Sequence, residues 1–146
     1  MSRMTTHTLA VAAMLAAVWL VAAHAAATPR PEDARVYIIA PTDGAVVRSP
    51  ITVLFGLDGM GVAPAGIELP NTGHHHLLID LPLGEVDLDA PLPADDQHRH
   101  FGGGQTQTTL ELPPGEHTLQ LLLADHQHVA HQPPLASVPI TITVTE

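Results

Sequence analysis

The chain has 146 residues and sets fifteen acids against five arginines with no lysine, a formal charge of −10. Phosphate backbones need cationic partners, so this balance excludes nucleic-acid binding and favours the attraction of cations. The absence of cysteine excludes disulfides, thiolate metal sites and cysteine nucleophiles.

Arg3 precedes an uncharged apolar run from Leu9 to Ala23, and small residues follow it. A run of fifteen is shorter than the ~20 residues of a membrane-spanning helix and has the layout of a secretory signal peptide. Residues 1–25 are therefore read as a signal, cleaved after Ala25 at Ala23-His24-Ala25, with Ala23 and Ala27 as alternative cleavage points. Cleavage after Ala23 would leave His24 as a new N-terminus, whose amine and ring can chelate copper. The mature chain then keeps four arginines and all fifteen acids, a formal charge of −11. The expected location is the periplasm or the outside of the cell, with no membrane span after cleavage.

Residues 26–34 are small, polar and Pro-containing and read as a flexible lead-in to one domain over 35–146. Arg35–Ala40, Ile51–Leu57, Gly73–Asp80, Thr106–Leu112, Glu116–Ala124 and Val138–Thr145 read as strands from their β-branched or alternating patterns. Pro41-Thr42-Asp43-Gly44 and Pro113-Pro114-Gly115 read as turns. Residues 58–72 read as a long Gly- and Pro-containing loop, 81–100 as an exposed acidic loop, and 125–137 as a His- and Pro-containing loop. No helical period survives beyond the signal. Short strands joined by Gly and Pro turns predict an all-β protein, an immunoglobulin-like antiparallel β-sandwich.

Three histidine pairs share the spacing i, i+2: His74/His76, His98/His100 and His126/His128. In an extended chain such residues point to one side, so each pair can present two imidazoles to one point. In strand 73–80, Leu77 and Ile79 share a face with His75. If that face meets the core, His74 and His76 point outward together. His126, His128 and His131 share a loop stiffened by Pro133 and Pro134. His100 adjoins Gly102-Gly103-Gly104, which permits close backbone approach. The metal-ligand candidates are thus His74, His76, His126 and His128, with His131 and His100 in reserve. Asp125 is a candidate to ligate or to orient a ring. His117 shares the face of Leu119, Leu121 and Leu123 after a tight turn, and reads as a structural, hydrogen-bonded histidine.

The stretches GHHHLLID (73–80), HFGGGQT (100–106), PPGEHTLQLLLAD (113–125) and HQHVAHQPP (126–134) resemble a bacterial family of exported, His-rich domains of unknown function. The resemblance spans roughly residues 36–144. It brings no established activity and no catalytic residues.

All-imidazole sites suit Cu(II), Zn(II) or Ni(II), and copper leads the general affinity order. Beyond the signal the only methionine is Met60, which argues against a thioether site for Cu(I). The four acids Asp87, Asp89, Asp95 and Asp96 lack the EF-hand order. The sequence points to an exported metal-binding domain for copper or zinc. The alternative is a structural or interaction module of the cell envelope with a protein partner there. Ser49 and Ser137 lie in no nucleophile motif, so the chain is not expected to be an enzyme.

Overall fold

A computed structural model describes residues 28–146. The signal segment 1–25, its cleavage points and His24 lie outside the described residues. Ten strands follow in order: β1 Arg35–Ala40, β2 Val46–Arg48, β3 Ile51–Asp58, β4 Gly61–Val62, β5 Thr72–Ile79, β6 His98–His100, β7 Gln107–Leu110, β8 Gly115–Ala124, β9 Ala130–Ala136 and β10 Ile140–Thr145. They form a two-sheet β-sandwich. One sheet has the order β1-β3-β7 and the other β2-β10-β8-β5-β4, with β6 added to β5 and β9 to β8. Pairing is antiparallel except for β2 with β10 and β4 with β5.

Alternation builds the core. Ile51, Val53 and Phe55 of β3 turn inward while Thr52 is exposed, and Leu119, Leu121 and Leu123 of β8 meet them from the opposite sheet. Leu77 and Ile79 of β5 and Ile142 and Val144 of β10 complete the layer. Each fully buried leucine contributes about 1.5–3 kcal/mol.

The large sheet is covered on its outer face as well. Residues Gly73 to Ile79 are all buried. A second apolar cluster of Leu92, Leu122, Ala124 and Ala130 sits there, with Leu83, Val86 and Leu88 packed against it. The segment 81–97 is therefore a cover and not the exposed acidic loop expected from its charge. Its acids alternate with apolar residues. Glu85, Asp87 and Asp89 face solvent while Leu83, Val86 and Leu88 turn to the sheet.

Within the lead-in, Thr28, Pro29 and Arg30 are tethered rather than free. The Thr28 carbonyl accepts from the Gln132 amide at 3.0 Å, and Pro29 bridges Gln132 in parallel. The Arg30 Nε donates to the Pro133 carbonyl at 2.9 Å. Backbone groups of β9 thus hold a segment whose composition alone suggested freedom. β9 itself contains Pro133 and Pro134, which supply no N–H, and it pairs β8 through only three residue pairs with a bulge at Leu123/Ala124.

Candidate metal centre

β5 and β6 set the site by register. His76 stands opposite His100 and Leu78 opposite His98. Opposed residues in an antiparallel pair put their side chains on one face, with Cβ atoms about 4.5–5.5 Å apart. His74 joins that face two residues along β5. The fourth ring arrives from the turn between β8 and β9, where His128 takes a left-handed conformation with φ 69°. The centroids of His74, His76, His100 and His128 stand 4.8–6.2 Å apart in all six pairs.

His74, His76 and His100 form the tight group, each offering one ring nitrogen within 4.8 Å of the others. The Nε2 atoms of His74 and His76 are 3.0 Å apart. Either one carries a proton toward the other, or two lone pairs face a common point. With metal–nitrogen bonds of about 2.0–2.1 Å, tetrahedral ligands stand ~3.3 Å apart and adjacent square-planar ligands ~2.9 Å. The 3.0 Å spacing of the His74 and His76 Nε2 atoms suits either geometry.

Three of the rings, His74, His76 and His100, are pushed toward the neutral form. Burial, then the neighbouring His100 and His128 imidazoles, push His74 down to about 4. Burial together with His74, His100 and His128 pushes His76 down to about 2. His100, half-buried, is lowered by burial and by His128. Neutral imidazole is the metal-ligating form.

Several of these nitrogens meet nothing. His74 Nδ1, His76 Nδ1 and His100 Nε2 are buried without a hydrogen-bond partner. An unsatisfied buried polar atom costs about 1–3 kcal/mol. An ion held between the His74 and His76 Nε2 atoms would leave their Nδ1 atoms unpaired, so of these three only His100 Nε2 is an orphaned atom that the same ion would engage.

Gly102 and Gly73 make room for rings. A Cβ at Gly102 would lie 2.4 Å from His100 Cε1. One at Gly73 would lie 2.5 Å from the Ala124 carbonyl oxygen and 2.8 Å from His131 Nε2.

The remaining sequence candidates lie elsewhere. His126 turns away from the cluster, with its Nε2 4.0 Å from Glu68. His131 is fully buried, its Nδ1 donating to the Thr28 carbonyl at 3.2 Å, and burial lowers its pKa. Neither ring joins the four. His74 and His76 do share a face away from the main core, but that face is fully buried and not outward to solvent. His75 faces the core against Phe55, 5.1 Å between ring centroids, and burial pushes it down to about 4. Asp125 is buried and bonded to Thr28 and to its own turn. Met60 packs at the main core.

His117 behaves as a structural residue. Its Nδ1 donates to Asp80 Oδ2 at 2.7 Å and its Nε2 to the Pro113 carbonyl at 2.9 Å. Two acceptors call for a doubly protonated ring, and the Asp80 carboxylate raises its pKa.

A family model described as a domain of unknown function, DUF4399, matches residues 53–145. The chain belongs to the DUF4399 family. The match contains all four clustered histidines and leaves the activity to be argued from the site. No curated protein sequence matches the chain significantly. Among solved structures the DUF4399 chain is similar to the endo-beta-1,4-mannanase from Thermotoga petrophila, at 15% identity and a TM-score of 0.47. That alignment covers 78% of this chain and 20% of the mannanase.

Proposed function

We propose that this domain binds one transition-metal ion, copper or zinc, through His74, His76 and His100, with His128 as a fourth imidazole. The observation that carries the reading is the convergence of four imidazoles, with one nitrogen each of His74, His76 and His100 within 4.8 Å of one another and the His74 and His76 Nε2 atoms 3.0 Å apart. The donor set is all nitrogen, which suits Cu(II) and Zn(II). We read the role as non-enzymatic metal binding outside the cytoplasm, supported by the signal-like pattern of residues 1–25. Both serines of the described residues serve the backbone. Ser49 Oγ accepts from the Leu112 amide, and Ser137 Oγ accepts from Leu121 and donates to Val138.

The test is calorimetric titration of the metal-stripped domain with Cu(II) and Zn(II) at neutral pH. His74 and His76 are fully buried, so the comparison variant is His74→Gln/His76→Gln, which keeps most of the volume. The expected result is one tightly held ion per chain, lost in the double variant. Weak binding of several ions, unchanged in that variant, would overturn the reading and leave a structural or interaction module of the cell envelope.

A further inference from the structure

Three of the clustered rings are carried by paired strands, while His128 is carried by a turn. Something must fix that turn, because a non-glycine residue at φ 69° is uncommon and costs of order 1 kcal/mol or more. The turn runs Asp125-His126-Gln127-His128-Val129. It closes on itself through the Asp125 amide, which donates to the Val129 carbonyl at 2.9 Å.

Asp125 collects the amides of this turn. Its carbonyl accepts from the His128 amide at 3.0 Å. Its Oδ1 accepts from the Gln127 amide at 2.9 Å and the Val129 amide at 3.1 Å. Three successive N–H groups flanking and including His128 thus end on one residue. The other carboxylate oxygen, Oδ2, accepts from Thr28 Oγ1 at 2.7 Å across 97 positions of sequence. From the opposite side the Leu92 amide donates to the His128 carbonyl at 2.8 Å.

Resting on the metal reading above, we infer that Asp125, clamped by Thr28, is the positioning residue that presents His128 to the metal. Asp125 acts through the backbone and not as a ligand. Both of its carboxylate oxygens are occupied, by Thr28 and by the turn amides.

This separates geometry from charge. Asparagine keeps an acceptor for the two turn amides and can pair with Thr28 through its amide group, so Asp125→Asn retains the turn without the charge. Alanine removes both. The experiment is Cu(II) titration and electron paramagnetic resonance on wild type, Asp125→Asn, Asp125→Ala, Thr28→Val, His128→Ala and the Asp125→Ala/His128→Ala double variant. Asp125→Ala should weaken Cu(II) binding by about 10–100-fold, as removal of orienting partners does at metal sites. Its copper spectrum should match that of His128→Ala. The double variant should bind no more weakly than either single one, because both remove the same ligand. Asp125→Asn should keep the wild-type spectrum. Thr28→Val, which removes one outlying bond, should weaken binding in the same direction and keeps the test decisive if Asp125→Ala does not fold.

Wild-type Cu(II) affinity and spectrum in Thr28→Val and Asp125→Ala would overturn the inference. Additive losses in the double variant would do the same. An Asp125→Asn variant as impaired as alanine would also overturn it, since charge would then be the operative feature. Absence of both Cu(II) and Zn(II) binding by the wild-type protein would instead overturn the metal reading itself.

Discussion

Gly102→Ala tests the proposed metal centre without replacing a ligand. The new methyl carbon would lie 2.4 Å from His100 Cε1 and 2.6 Å from its Nε2. Non-bonded carbons rest at about 3.5–4.0 Å, so the ring must retreat by roughly 1 Å. Metal–ligand distances tolerate about 0.2 Å, and the retreat exceeds that several-fold. His100 is half-buried on a three-residue strand, so its ring can swing aside with little damage to the sandwich. The expected loss is about 10–100-fold in affinity, or roughly 1.4–2.7 kcal/mol. Gly103→Ala is the control, because its methyl would meet only the Gln105 side chain, at 3.1 Å. The assay is competition for Cu(II) and Zn(II) against a chromophoric chelator, with thermal melts to confirm folding. Wild-type affinity in a folded Gly102→Ala protein would remove His100 from the ligand set. Equal losses in both variants would show a general loop effect instead.

Three further expectations follow from buried histidines and close packing. His75→Leu replaces a core imidazole that closes no well-formed hydrogen bond and has the Gln105 backbone beside it, and should stabilise the metal-free domain by about 1–3 kcal/mol in urea unfolding; a loss of stability would show that the Gln105 contact outweighs the cost of burying the ring. His117 has a raised folded pKa, so its contribution is fully present below the unfolded value and is lost as pH rises through the folded one. Urea melts at about pH 6 and pH 9 should show that loss in wild type and a flatter profile in His117→Gln; parallel profiles would refute the pairing with Asp80. Gly73→Ala should destabilise the fold by about 1–3 kcal/mol, because the Ala124 carbonyl it meets is backbone and cannot turn away; an unchanged melting temperature would contradict that contact.

The long strands were readable because their chemistry is local. Val36-Tyr37-Ile38, Ile51-Thr52-Val53 and the alternation of Leu119, Leu121 and Leu123 state strand and face together. β2, β4 and β6 are only two or three residues long and exist through pairing with a partner strand. β9 carries two prolines that locally argue against a strand. The same division runs through the site. His74 and His76 share a face because β5 is extended, which spacing alone states. Their burial is not stated by that spacing, because it needs the outer face of the large sheet to be covered. His100 joins them through the β5–β6 register, a long-range fact with no local signature. His126 and His128 share the same spacing but sit in a turn, where the period of two fails, so one points to Glu68 and the other to the cluster. The signal that separates them is Asp125, whose side chain favours a turn over an extended run.

The register that sets His76 against His100 has a consequence for when an ion can be acquired. The four rings come from residues 74 to 128, on three segments that meet only after β5 has paired with both β6 and β8. An unfolded chain offers the same imidazoles without their convergence, and so holds an ion loosely and exchanges it freely. On the proposed metal reading, loading follows folding. The compartment in which the chain folds would then be the one whose pool of ions it samples, and selection among metals would be made there as much as by the affinity of four imidazoles.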